Sequence, residues 1–154
     1  MASDFMRTRV SLELEQALRE MMTERVFPKG GPLFRQGMPA AGLYLVEKGS
    51  VRVLLTTVDN QKQLLEVVGP GVLLGLSDCM AGGRYRVTAE AAELTTASLV
   101  EREVFVEFLG AHHEFCMQIV RLLSDNLHGL YHKFRSVSAH PGRPRRRALS
   151  EPLS

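Results

Sequence analysis

The spacing of apolar residues changes twice along the chain, and each change predicts a different kind of secondary structure. Between Ser11 and Glu24 apolar residues recur at steps of three and four, and Ser11 is of a helix-capping type, so we expect an amphipathic helix over 11–24. From 25 to 99, short runs rich in Val, Leu, Phe and Tyr are separated by Gly or Pro every 8 to 12 residues, which is typical of an all-β sandwich or roll. We predict strands over 25–28, 32–35, 42–47, 49–57, 63–68 and 72–74, and two more within 85–99.

From Glu101 onward the apolar period is helical again. A short helix is expected to end near Gly110, and a longer helix is predicted from about His113 to about Ser136. Apolar residues in the longer helix follow one another at alternating steps of four and three, which is the heptad pattern of a coiled-coil seam. The predicted dimer interface consists of Cys116, Val120, Leu123, Leu127, Leu130 and Phe134, and the seam continues to Val137.

This seam predicts a parallel homodimer through the C-terminal helix. The alternative is that the seam packs on the chain's own β-roll, a purpose that a second apolar set, Ile119 and Leu122, can also serve. We therefore predict one domain over 1–137, mainly β with flanking helices. A double-stranded, jelly-roll-like β-roll (25–99) follows the helix over 11–24, and helices within 101–137 follow the roll. A chain of 154 residues is of single-domain size.

Residues 138–154 have no periodic apolar face and are predicted to form a flexible basic tail. Arg143, Arg145, Arg146 and Arg147 lie there, and subtracting these four charges from the net charge of +2 leaves −2 on the rest of the chain. A duplex-binding surface needs clustered cations, so sequence-specific DNA binding by this chain is not expected. The tail alone would give only weak, sequence-blind attraction to nucleic acid.

The cysteines and the N-terminus give no sign of a metal site or of an export signal. Cys79 and Cys116 are the two cysteines, and they are too few and too far apart for a structural zinc site or an iron–sulfur cluster. No apolar run reaches the length of a signal peptide core or of a membrane span. We expect a cytoplasmic protein with no membrane partner and no bound metal.

Four short elements within 29–55 follow one pattern, in which each glycine sits where a strand must reverse and aliphatic or aromatic residues fill a small roll between the glycines. The elements are Lys29-Gly30, Leu33-Phe34-Arg35-Gln36-Gly37, Leu43-Tyr44-Leu45-Val46 and Lys48-Gly49-Ser50-Val51. Together they resemble the first half of the cyclic-nucleotide-binding domain of Crp/Fnr-type regulators. The likeness covers about 11–137, including the leading helix and the long final one.

The resemblance implies a phosphate-binding cassette after the sixth strand, where a short helix N-terminus and an arginine hold the cyclic phosphate. The family pattern is approximately Gly-Glu-Leu, followed some residues later by Arg-Ser/Thr-Ala. In this chain Leu76 stands at the ribose-binding glutamate, Tyr85 at the phosphate-binding arginine, and Arg86 at the hydroxyl position. The candidate ligand-binding residues are Gly75, Leu76, Ser77, Arg84, Tyr85, Arg86 and Thr88.

These substitutions bear directly on the ligand, because a leucine cannot accept a hydrogen bond from a ribose hydroxyl. Three interpretations stay open. The cassette is only a corner of the roll, or it binds a non-standard ligand, or Arg84 or Arg86 makes a shifted contact with a true cyclic nucleotide. A cyclic nucleotide or a related small effector is thus the only cofactor that the resemblance implies.

A cupin-like β-barrel metalloenzyme is the alternative for a roll of this kind. Such a barrel holds its metal with histidines on strands, whereas all five histidines here follow Glu101. We therefore predict no enzyme, but a small-molecule sensor or regulatory domain of the Crp/Fnr transcription-regulator type with a degenerate cyclic-nucleotide site. The resemblance implies that a helix-turn-helix follows the long helix in regulators of that type. In this chain only 18 residues follow Ser136. The chain is then either a stand-alone sensor or a shortened regulator.

Overall fold

The structure is a computed structural model that describes residues 7–8 and 11–124. The described residues form strands, three helices with both ends described, and a further helix, α4, of which residues 113–124 are described. The strands are β1 (Arg7–Thr8), β2 (Thr23–Phe27), β3 (Pro32–Phe34), β4 (Gly42–Lys48), β5 (Val51–Thr56), β6 (Lys62–Val68), β7 (Leu73–Leu74), β8 (Thr88–Ala91) and β9 (Thr95–Glu101). The helices are α1 (Leu12–Arg19), α2 (Leu76–Ala81) and α3 (Arg102–Ala111).

These strands form two antiparallel sheets, which confirms the predicted, mainly β roll. One sheet has the order β1-β7-β4-β9-β2, and the other has the order β3-β8-β5-β6. Phe34 of the second sheet reaches Tyr44 of the first, with ring centroids 5.8 Å apart, and both sheets contribute to one apolar core. Side chains from both sheets therefore fill the interior of the roll.

The first helix begins as predicted but is shorter than expected. The Ser11 side chain accepts a hydrogen bond from the Leu14 N–H and so caps α1, while Leu14 and Leu18 are buried. The helix ends at Arg19, and the prediction that it extends to Glu24 was wrong. Residues 23–27 instead pair with β9. The hydrogen bonds of this strand pairing stabilise an extended chain more than the apolar spacing at Met21 and Met22 stabilises a longer helix.

The connections in the roll follow the turn chemistry of the sequence. Asn60 has a positive φ of 64° in the hairpin between β5 and β6, as expected for a residue type that tolerates this region. The strand predicted to begin at Tyr85 begins only at Thr88. Tyr85 is taken out of the ladder because its backbone N–H donates to Met38 and its carbonyl accepts from Gly37, both at 2.9 Å.

The helices after the roll cover one side of it. Phe105 and Leu109 of α3 are buried, and α3 ends next to the predicted Gly110. In α4, Ile119 is fully buried and Leu122 packs against the core, so the second apolar set binds the chain's own roll. In the predicted seam, Val120 is 46% exposed, whereas Cys116 and Leu123 are half-buried against the core. Leu127, Leu130, Phe134, Val137 and the predicted tail over 138–154 lie outside the described residues.

Candidate functional site

The cassette occupies α2 and the loop that leads from it to β8. Gly75 precedes α2 with a φ of +90°, a conformation that favours glycine. A Cβ added there would lie 3.2 Å from the Gly42 carbonyl oxygen and 3.3 Å from the Tyr85 ring. Gly75 therefore allows β4, α2 and Tyr85 to approach one another closely.

Leu76, at the position where the resemblance implies a ribose-binding glutamate, is 2% exposed and belongs to the apolar core. Its neighbour Ser77 is half-buried and lines a small cavity. Thr88 accepts a hydrogen bond from the backbone N–H of Gln36 at 2.9 Å, which fastens the end of the cassette to the β3–β4 loop. The position of Leu76 thus offers a ligand no hydrogen-bond acceptor from its side chain.

Tyr85, at the position where the resemblance implies a phosphate-binding arginine, is 4% exposed and stacked on Phe34, with ring centroids 3.9 Å apart. Its hydroxyl oxygen accepts from the Gly42 N–H at 3.0 Å, and its hydroxyl donates to the Gly42 carbonyl. Burial raises the pKa of the Tyr85 phenol above its ordinary value. The residue is therefore neutral at physiological pH and supplies no positive charge for a phosphate.

The two arginines that flank Tyr85 are both engaged by the protein itself. Arg86 donates from Nε to Asp78 Oδ1 at 3.0 Å, and its backbone N–H donates to Asp78 Oδ2 at 3.3 Å. Asp78 is 7% exposed, so this pair supplies a buried carboxylate with its counter-charge. Arg84 is exposed and donates to the Gly37 carbonyl at 2.8 Å.

The space left inside the cassette is small. The cavity there measures about 20 Å³, room for about one water molecule, whereas small-molecule sites usually measure roughly 300–1,000 Å³. The residues that line it are Phe34, Val53, Leu74, Gly75, Ser77, Asp78, Arg86 and Val87. Three of the predicted site residues line this cavity: Gly75, Ser77 and Arg86. The predicted residues Arg84 and Thr88 do not line it.

Sequence reasoning missed two residues that determine the form of the cassette, Asp78 and Phe34. Asp78 binds Arg86, and Phe34 covers the ring of Tyr85. The acidic residue three positions after Gly75 was a visible signal for an arginine partner, but the Phe34 contact joins residues 51 positions apart and had no local signal.

Cys79 of α2 is a further side chain near the cassette that could be reactive. The Cys79 thiol is fully buried, and burial raises its pKa to about 12, so it is a poor nucleophile. Among residues 11–124, His, Cys, Asp and Glu side chains form no group of three or more that could hold a metal ion. No helix in the described part of the chain is both long enough and apolar enough to cross a membrane.

Known proteins similar to this chain point to one family. Residues 24–112 match the family model described as "Cyclic nucleotide-binding domain". The "Cyclic AMP receptor protein" of Thermus thermophilus is 34% identical over 85 residues, which are 55% of this chain and 39% of that protein. The "Fumarate and nitrate reduction regulatory protein" of Vibrio cholerae is 25% identical over 117 residues, which are 76% of this chain and 46% of that protein.

Solved structures agree with this assignment. The crystal structure of the N-terminal domain of a transcriptional regulator from Streptomyces coelicolor superposes with a TM-score of 0.67 at 26% identity, covering 78% of this chain and 86% of that one. This chain spans less than half the length of the two curated relatives named above. The cupin-like alternative finds no support in these similarities. By its match over 24–112 and by its fold, the chain belongs to the cyclic nucleotide-binding domain family, as a member of the Crp/Fnr type.

Proposed function

We propose that this chain is a small-molecule-sensing, regulatory domain whose cassette does not bind cyclic AMP as an ordinary member of the family would. The observation that carries this proposal is the state of Tyr85. A cyclic phosphate needs a cation and free donors, but the Tyr85 side chain is neutral and its hydroxyl is bonded to Gly42. A phosphate placed beside it would have to break these buried hydrogen bonds without gaining a charge partner.

The size and lining of the cassette support the same proposal. A cavity of about 20 Å³ cannot receive a nucleoside phosphate without movement of the walls. Leu76 supplies apolar surface where a ribose would present hydroxyls, and those hydroxyls would lose their water without a replacement partner. Arg86 is bound through its Nε to the buried Asp78 carboxylate, so part of its charge is already neutralised before an anion could meet it.

A physical link joins the cassette to the helices that follow the roll. The Arg102 side chain, at the start of α3, donates from Nε to the Cys79 carbonyl in α2 at 2.7 Å. In addition, the Ser11 hydroxyl donates to Gln118 in α4 at 2.8 Å. A change in the roll that moves α2 would therefore be passed to α3, which supports a role in signalling rather than in storage.

We further infer a homodimer through α4, because Met117 and Val120 are 36% and 46% exposed on a helix whose other face is already buried. The partner is a second copy of this chain, in parallel orientation, as the heptad seam predicts.

We place the protein in the cytoplasm, and we assign it regulation rather than catalysis, as the names of its relatives suggest. The output to transcription would not come from sequence-specific DNA contacts of this chain.

A thermal-shift series tests the proposal. The full chain is heated with cyclic AMP, cyclic GMP and cyclic di-GMP, each at about 1 mM, a concentration at which a ligand with a dissociation constant of about 10 μM would stabilise the native state by about 2.7 kcal/mol. We expect no stabilisation, because a ligand that does not bind the native state cannot shift the melting temperature. A rise of several degrees with any one of the three nucleotides would show a working cassette and would overturn the proposal.

A further inference from the structure

A second cavity, of about 570 Å³, lies beside the same aromatic stack that closes the cassette. We call it the 33–103 pocket, after the first and last residues that line it. Phe34 borders both cavities, and Tyr44 and Leu99, which are paired across β4 and β9, form further wall of the 33–103 pocket. Its volume falls within the range of roughly 300–1,000 Å³ that small-molecule sites occupy.

The walls of this pocket are held in place without a ligand. At Gly42, a Cβ would lie 2.5 Å from a methyl carbon of Leu99 and 3.1 Å from the Val100 carbonyl oxygen, so a larger residue there would displace the Leu99 side chain from the pocket wall. The loop before Gly42 is fastened by backbone hydrogen bonds: Tyr85 donates to Met38, Ala40 donates to Gly83, and Arg102 donates to Ala41, at 2.9, 2.9 and 2.8 Å. The pocket is therefore preformed, which lowers the entropic cost of binding.

The lining favours a flat, apolar ligand. Phe34 stacks on Tyr85 and also meets Tyr44, which in turn contacts Phe27 with ring centroids 6.2 Å apart. Met38 is 49% exposed at the mouth, where a flexible thioether can adapt to a ring. Phe34 and Tyr85 are 5% and 4% exposed and cover one another, so the half-buried Tyr44 is the ring that can meet a ligand by stacking or by edge-to-face contact.

The charges at the mouth disfavour an anion. Glu101 and Glu103 are exposed and form no ion pair with another described residue. The cation in the lining is Arg102, and its Nε is already bonded to the Cys79 carbonyl. Burial raises the pKa of the Tyr44 phenol, and the positive charge of the nearby Arg25 opposes this rise. Arg25 does not line the pocket. An anionic ligand would therefore face two carboxylates and one partly engaged guanidinium.

We propose that the 33–103 pocket is the effector site of this domain and that it takes an uncharged, ring-bearing small molecule. The assignment rests on the proposed function, since it presumes a sensor whose cassette is closed to cyclic nucleotides. Arg102 and the start of α3 border the pocket, and Arg102 also holds α2. A ligand there would thus bear on the contact between α2 and α3 that Arg102 makes in this chain.

The test uses the full chain with two probes of the same ring and different charge, indole and indole-3-acetate, followed by methyl NMR. The expected result is saturable indole binding at roughly millimolar concentration or below, with shifts at the methyl groups of Leu33 and Leu99. Indole-3-acetate should bind at least about ten-fold more weakly, because it carries its carboxylate toward Glu101 and Glu103.

A matched pair of variants places the binding in this pocket. Ala41→Trp adds a ring at the exposed mouth and should weaken indole binding at least about ten-fold, whereas Ala81→Trp, at the exposed end of α2 and outside the lining, should leave it unchanged. Absence of indole binding, equal affinity for the two probes, shifts confined to the cassette, or an unaffected Ala41→Trp variant would each overturn the assignment. None of these outcomes bears on cyclic AMP binding, so the proposed function is tested separately.

Discussion

Tyr85 and Gly42 exchange two hydrogen bonds: the Gly42 N–H donates to the Tyr85 hydroxyl oxygen, and that hydroxyl donates to the Gly42 carbonyl. The pair joins the cassette loop to the first residue of β4. In consequence Tyr85, which the resemblance places at a phosphate-binding arginine, is part of the framework of the roll. The remaining features of the cassette agree with this change, since Arg86 binds Asp78 and the cavity is nearly filled.

The first prediction concerns the contribution of this pair to stability. Tyr85→Phe removes the hydroxyl and leaves the buried Gly42 N–H without its partner, so we expect a loss of about 1–3 kcal/mol in the free energy of unfolding. Tyr44→Phe is the matched control, because the half-buried Tyr44 hydroxyl has no hydrogen bond to a described residue. Urea denaturation measures both variants. Equal losses for the two would contradict a structural role of the Tyr85 hydroxyl.

The second prediction separates the two arginines that flank Tyr85. Arg86→Ala deprives the buried Asp78 carboxylate of its counter-charge and should cost about 1–3 kcal/mol of stability. Arg84→Ala removes one bond between an exposed side chain and the Gly37 carbonyl and should cost less than about 1 kcal/mol. The double variant Asp78→Asn/Arg86→Ala should recover part of the first loss, because no buried charge is left unpaired. If Arg84→Ala proves the more damaging of the two single variants, the assignment of Arg86 as the framework arginine is wrong.

The third prediction concerns acid stability. Glu47 accepts two hydrogen bonds from Arg19 of α1, at 2.6 and 3.0 Å, and one from Ser98, at 2.6 Å. The Arg19 guanidinium holds the pKa of Glu47 below its ordinary value of 4.5, and Ser98 acts in the same direction. A lowered folded-state pKa means that the stabilisation is fully present above pH 4.5 and is lost as the pH falls through the lower value.

Glu47→Gln should accordingly destabilise the protein by about 1 kcal/mol at pH 7, a modest figure because Arg19 is 43% exposed. The difference between wild type and variant should shrink as the pH falls below 4.5, where the wild-type carboxylate also becomes protonated. Chemical denaturation at several pH values between 3 and 7 measures this difference. A difference that stayed constant over the whole range would contradict the linkage.

The roll could be predicted because its glycines and its apolar alternation are local signals. Ser11 at the helix start and Asn60 in the hairpin are examples in which one residue type specifies one backbone conformation. The end of α1 could not be predicted, because Thr23–Phe27 are held by pairing with a strand about 70 positions later in the chain. Local spacing favoured a helix there, and the ladder to β9 overrode it.

The candidate site divides in the same way. The resemblance alone assigned Gly75, Leu76 and Tyr85 to the cassette and implied that Leu76 and Tyr85 stand in place of a glutamate and an arginine. What each replacement does was not visible. The stacking of Tyr85 on Phe34, its bonds to Gly42, and the volume of the 33–103 pocket all depend on contacts between distant segments, which no local pattern encodes.

The fourth prediction concerns the proposed homodimer. Val120→Glu should yield a folded monomer, because Val120 is 46% exposed within the subunit while a charge at a closed seam would be desolvated without a partner. Leu64→Glu is the control, since Leu64 is 54% exposed on β6, away from the seam, and should leave the assembly unchanged. Sedimentation equilibrium at tens of micromolar gives the answer. A wild-type species near the chain mass of 17.2 kDa would mean that the chain is monomeric.

The measurement that tests the central claim most directly is a calorimetric titration of the full chain with cyclic AMP. Because Leu76 and Tyr85 offer neither the acceptor for a ribose nor the cation for a phosphate, we predict no binding, or a dissociation constant well above about 10 μM. A dissociation constant below about 10 μM, equivalent to more than about 6.8 kcal/mol of binding free energy, would contradict the account. In that case Arg84→Ala and Arg86→Ala would identify the phosphate contact, since the variant that abolishes binding carries it.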